Sequence, residues 1–73
     1  MSNKADKIIQ ALFDVFINNP TLLPADTLRD VKTRQADDGD NGRARAVADY
    51  IAGMTDRFAI EEYRRLFDVT QLT

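Results

Sequence analysis

At 73 residues, 44% hydrophobic and 30% charged, the chain has the composition of one small globular domain with room for only a modest core. A net charge of −2 argues against a general nucleic-acid binder, and the lack of cysteine excludes a disulfide framework or thiolate metal site. The lack of histidine excludes an imidazole base and a histidine-ligated metal, leaving carboxylates, hydroxyls, lysine and tyrosine for chemistry.

The opening "MSNKADK" has none of the apolar core that a signal peptide needs, and no apolar run approaches the ~18 residues of a membrane span. A cytoplasmic location away from the membrane is the expectation. In "KADKIIQALFDVFINNP", Ala5, Ile8, Ile9, Leu12, Phe13 and Phe16 recur at spacings of three and four, which predicts a helix over 3–19. Asn3 suits its N-cap, and Asn18-Asn19-Pro20 suits its stop, because the residue before proline avoids the helical region.

Thr21 to Pro24 reads as an extended connector, with Leu22 and Leu23 anchored on the core. Pro24 fits the first turn of a short helix over 24–33, whose buried side is Leu28 and Val31. "QADDGDNG", residues 35–42, is expected to be a solvated loop. It fails as a calcium loop: counted from Asp38, the fifth position is Gly42 and the sixth is Arg43, where an oxygen ligand and a glycine are required.

A helix over 43–53 follows, with Ala44, Val47, Ala48 and Ile51 on one face and Gly53 as its natural end. Thr55 reads as the cap of a last helix over 55–68, with Asp56 favourably placed in its first turn. Ala59, Tyr63, Leu66 and Phe67 share a face there, and Glu61 and Arg65 have the spacing of an ion pair. The tail "VTQLT" has no pattern, and no strand-like alternation or internal repeat appears. The expected fold is all-α: a small single domain of three main helices and one short one, with no sheet.

The stretch "DYIAGMTDRFA", residues 49–59, invites two readings. Locally it is a joint, in which Gly53 ends one helix, Thr55 caps the next and Asp56 complements the dipole. As a site, it offers the free N–H groups of a helix start, while Asp56 would repel a phosphate and favour a base or ribose. Arg57 could meet a phosphate or carboxylate, although Glu61 one turn on is a ready partner. Asp49 sits near a helix end where a carboxylate is mildly unfavourable, a placement that hints at an outside partner. Glu61 and Glu62 diverge around their helix and make no acid/base pair. Arg43 and Arg45 are expected to be solvated.

Over "RAVADYIAGMTDRFAIEEYRRLFD", residues 45–68, the chain resembles the C-terminal part of deoxyguanosinetriphosphate triphosphohydrolase-like proteins. There a segment of the form "DYIAGMTDRYA" is followed by a helix ending in "LF". Ala48 departs mildly from the cysteine or other small residue expected at its position. The resemblance implies a bacterial, cytosolic HD-superfamily enzyme that hydrolyses a deoxynucleoside triphosphate to deoxynucleoside and triphosphate. In that family His and Asp side chains hold a divalent metal such as Mg or Mn, which activates water for attack on the α-phosphorus. With no histidine here, that centre belongs to the parent's HD domain, and no catalytic or metal-binding residue is assigned to this chain. The resemblance further implies packing on the HD domain, a homo-oligomer, commonly a hexamer, and a nucleotide pocket nearby. Asp49, Tyr50, Gly53, Met54, Asp56 and Arg57 are the positions it marks for pocket-wall or interface roles. The alternative is a free-standing helical module that binds another protein through its Leu/Phe/Ile stripe.

Overall fold

The computed structural model describes residues 3–67, with side chains from residue 6 onward. The expected cap at Asn3, the packing of Ala5, the helix end at 68 and the tail lie outside what is described. Three α-helices account for nearly all of it, with no strand among the described residues: α1 (Asn3–Asn18), α2 (Ala25–Ala52) and α3 (Asp56–Phe67). A 3₁₀ turn, Pro20–Leu22, joins α1 to α2.

Helix α1 touches both of the others and carries the two largest fully buried side chains, Phe16 and Leu12. Ile8, Phe13, Val15 and Ile17 pack at the margins of this core, whereas Ile9, expected in the stripe, is 43% exposed. Ile9 lines an open hollow at the edge of the α1–α2 contact, beside Ala48, Ile51 and Ala52, and stays in reach of water. The helix stops at Asn18, whose side-chain amide donates to the Asp14 carbonyl at 2.8 Å, while the Asn19 N–H donates to the Val15 carbonyl, one of the orphan acceptors of the last turn, at 2.8 Å. Of the two expected anchors in the connector, Leu23 is buried and Leu22 is 40% exposed. Pro24 sits just outside α2, at its cap, and its carbonyl accepts from Leu28 N–H at 2.8 Å.

Helix α2 departs most from the sequence reading. The expected loop over 35–42 shrinks to two residues, Asp38 (φ −136°, ψ 17°) and Gly39 (φ 61°, ψ −141°), with helical backbone on either side. Gly39 occupies a region essentially closed to residues with a side chain, so the chain reverses within two residues. The arms, residues 25–37 and 40–52, fold back on each other. Gly42, expected in a solvated linker, is buried at their closest approach. A Cβ there would collide with the Arg34 carbonyl oxygen and lie 2.6 Å from its carbon.

The hairpin also shifts the buried face of the second arm. Ala46, Val47 and Ile51 are buried and Ala44 is half-buried, but Ala48 is exposed, because this arm packs against the first arm as well as α1. Arg45 is exposed as expected. Arg43 is half-buried, and its Nε is enclosed without a hydrogen-bond partner among the described residues.

In α3 only Ala59 is buried, Leu66 is half-buried, and Tyr63 and Phe67 remain 36% and 41% exposed with their rings 4.8 Å apart. Arg64 and Arg65 lie in its last turn, where cations complement the dipole. Arg65 pairs with Glu62 through two hydrogen bonds of 2.7 and 3.1 Å, rather than with Glu61 as its spacing suggested. Glu61 instead lies 3.8 Å from Arg57.

Candidate functional site

The joint between α2 and α3 is built as local rules require. The Gly53 N–H donates to the carbonyls of Asp49 (3.2 Å) and Tyr50 (3.3 Å), and Met54 N–H donates to Ile51 (3.0 Å), closing α2. Thr55 Oγ1 accepts from Phe58 N–H at 3.1 Å, the N-cap bond of α3. Gly53 is right-handed (φ −82°, ψ −6°), so its backbone does not demand glycine. A Cβ there would lie 3.6 Å from the Tyr50 oxygen and 3.7 Å from that of Asp49, which is ordinary contact.

Above this joint lies a shallow, open hollow lined by Asp49, Tyr50, Gly53, Met54, Thr55 and Phe58. Four of the six sequence-marked positions meet there. Asp56 and Arg57 do not line it. Both are exposed in the first turn of α3, and the Arg57 side chain is 90% exposed, with only its weak contact to Glu61.

Tyr50 joins the hollow to the core. Its ring packs edge-on against Phe16, with centroids 5.8 Å apart and planes at 73°, a favoured aromatic geometry. Burial pushes its phenol above the ordinary 10.0, the Glu62 carboxylate adds to the effect, and Arg65 offsets part of it. Tyr50 is therefore a neutral hydroxyl at physiological pH, able to donate or accept a hydrogen bond but no base.

Asp49, whose helix position hinted at an outside partner, has one within the chain. Arg34 Nη1 donates to its Oδ2 at 2.7 Å from the other arm of α2, while Arg34 Nε sits 3.3 Å from both Asp30 carboxylate oxygens. The hydrogen bond to Asp49, followed by the Asp30 charge, holds the Arg34 guanidinium above its ordinary value. Sequence reasoning missed Arg34, Thr55 and Phe58 as neighbours of the site. The one available signal was Asp49 itself, an acid near a helix C-terminus.

The hollow thus combines a carboxylate with free lone pairs, a neutral phenol and the apolar sides of Met54 and Phe58. It has no nucleophile paired with a base. Among the described residues no group of three or more His, Cys, Asp or Glu side chains could hold a metal, and the whole chain lacks histidine and cysteine. These residues do not fit a divalent-metal centre. No helix among the described residues is long and apolar enough to cross a membrane.

Residues 1–65 match the phosphohydrolase-associated domain. The chain is 49% identical over 69 residues to a deoxyguanosinetriphosphate triphosphohydrolase-like protein of Bordetella pertussis, covering 94% of this chain and 16% of that protein. Proteins of the same name from Caulobacter vibrioides (49% over 65 residues, 89% of this chain, 16% of theirs) and Geobacter sulfurreducens (44% over 68 residues, 93% of this chain, 16% of theirs) are also similar. No solved structure matches. The chain thus spans about a sixth of the length of the curated relatives it matches, 16% in each case. With its matched span reaching from residue 1 through the α2–α3 joint, this chain belongs to the phosphohydrolase-associated domain family.

Proposed function

We propose that this chain is the C-terminal helical part of a larger HD-type enzyme, which hydrolyses deoxynucleoside triphosphates to deoxynucleoside and triphosphate. Within that enzyme it is non-catalytic: it packs on the HD domain, and its α2–α3 joint borders the nucleotide site or a subunit interface. The observation that carries this reading is the pairing of a near-complete family match with a short share of each relative, residues 1–65 here against 16% of the relatives' length. The missing histidine agrees with it, since the metal and its His/Asp ligands would belong to the HD domain.

The hollow's chemistry favours the nucleoside end of such a substrate. Asp49 can accept from a sugar hydroxyl or a base N–H, Tyr50 can exchange a hydrogen bond, and Met54 and Phe58 offer apolar contact. The hollow's lining offers no cation to hold triphosphate, and Asp56 beside it adds a second acid to Asp49, whose charge Arg34 offsets in part. Asp49, Tyr50, Gly53 and Met54 would form the wall, with Asp56 and Arg57 beside it facing the HD domain or another subunit.

Hydrogen exchange on the full-length enzyme tests the placement. A non-hydrolysable deoxynucleoside triphosphate should slow amide exchange across residues 49–58, while the separate 73-residue chain supplied with Mg²⁺ or Mn²⁺ should release no triphosphate. Unchanged exchange across that segment would leave the joint as a helix connection only. Protection by an unrelated protein, but not by nucleotide, would favour a free-standing interaction module.

A further inference from the structure

Two chemically susceptible residue pairs lie at and just after the break in α2, in opposite environments. Asp38-Gly39 and Asn41-Gly42 each place a carboxyl or carboxamide side chain before a glycine. In such a pair the glycine nitrogen is unshielded by a Cβ and can reach the preceding side-chain carbonyl carbon. In a free peptide the Asn pair reacts faster, because its amide expels ammonia whereas a carboxyl group must lose its hydroxyl as water.

The fold gives the two pairs different surroundings. Asp38 and Gly39 are both exposed and both outside helical dihedrals, and nothing lies within 4 Å of the point a Gly39 Cβ would occupy. No packing at that point resists ring closure. Asn41 and Gly42 instead lie in the regular second arm, with Gly42 buried against the Arg34 carbonyl. A ring that rotated the 41–42 peptide would push that glycine into backbone.

We infer that Asp38-Gly39 is a site of spontaneous isomerisation to isoaspartate in the folded protein, while Asn41-Gly42 is held unreactive by the hairpin. The Gly39 backbone nitrogen attacks Asp38 Cγ, forming a C–N bond as the Cγ–hydroxyl bond breaks. The amide proton leaves with that hydroxyl as water, and a five-membered succinimide remains. Water then adds to either ring carbonyl. Opening at Cγ restores aspartate, and opening at the Asp38 main-chain carbonyl routes the backbone through Cβ and Cγ. One water is lost and one regained, so the mass is unchanged and no oxidant or reductant takes part. The product adds a methylene to the two-residue reversal that holds Gly42 against Arg34 and Arg34 near Asp49. It also creates a free α-carboxylate, the group that isoaspartyl carboxyl methyltransferases esterify.

Ageing the intact protein in neutral buffer, followed by peptide mapping and enzymatic methylation, tests this. IsoAsp should accumulate at position 38 in the native protein while Asn41 stays amidated, and in denaturant Asn41 should deamidate faster than Asp38 isomerises. Asp38→Glu, which would have to close a larger and slower ring, should abolish methyl acceptance in the native protein without changing its helicity. Deamidation of native Asn41 at or above the rate of change at Asp38 would overturn the inference. So would an Asp38 signal no higher than that of the helical Asp30 peptide.

Discussion

Arg34 reaches across the hairpin of α2 and donates to Asp49 at 2.7 Å, tying the first arm of the helix to the wall of the hollow. The Arg34 and Asp49 side chains are 40% and 69% exposed, so water and salt screen the pair and its share of the fold's stability is small. Its effect is to hold the Asp49 carboxylate in one place. Arg34→Ala should therefore shift thermal unfolding only slightly, with the difference from wild type shrinking as salt is added. In the proposed full-length triphosphohydrolase the same variant should raise KM for deoxynucleoside triphosphate while Tm moves only slightly. Thermal melts at low and high salt, run beside steady-state kinetics, check both outcomes.

The three glycines should behave differently when replaced by alanine. Gly39→Ala forces a side chain into the positive-φ region and should cost about 1–3 kcal/mol. Gly42→Ala drives a methyl into the Arg34 carbonyl and should cost at least about 1–3 kcal/mol. Gly53→Ala meets only ordinary contacts at a right-handed φ and should be neutral or stabilising by about 0.4–1 kcal/mol. Urea denaturation of the three variants measures the order directly.

Phe16 is fully buried where α1 meets the end of α2, and its ring packs against Tyr50. Phe16→Ala should cost about 3–5 kcal/mol, a large part of the stability available to a domain this small. Far-UV circular dichroism should show the variant largely unfolded near physiological temperature, whereas the exposed Ile9→Ala should retain the native signal.

The raised Tyr50 phenol gives a pH dependence of known sign. A folded value above the unfolded 10.0 means that the fold favours the protonated phenol. That contribution is fully present below pH 10.0 and is lost as the pH rises through the higher folded value. Wild-type stability should thus fall more steeply on the alkaline side than that of Tyr50→Phe. Ultraviolet titration should show one phenol ionising later in the folded protein than in denaturant.

Much of this was legible in the sequence, and the failures have definite causes. The helical periodicity of Leu12 and Phe16, the capping by Thr55 and the stop at Asn18-Asn19-Pro20 are local features, set by spacing and backbone chemistry. The clustering of Asp49, Tyr50, Gly53 and Met54 follows from helical geometry at one joint. The α2 hairpin was not legible, because "QADDGDNG" has the composition of a linker. That Gly39 turns the chain and Gly42 admits the opposite arm are facts of tertiary packing. Exchanging Ala48 for Ala46 on the buried face has the same origin, since the second arm must face two neighbours. Arg34 lies fifteen positions from Asp49, beyond any helical spacing rule.

The most direct test of a nucleotide-bordering joint is the kinetics of Gly53→Ala in the full-length enzyme, with Asp49→Asn alongside. Gly53 lines the hollow but tolerates a methyl within its own backbone, so fold and function separate at this position. The expected result is an unchanged or slightly raised Tm together with a higher KM or lower kcat for deoxynucleoside triphosphate, and a smaller effect from Arg57→Ala. Wild-type kinetics in both Gly53→Ala and Asp49→Asn, with the fold intact, would contradict a role for the hollow in holding substrate.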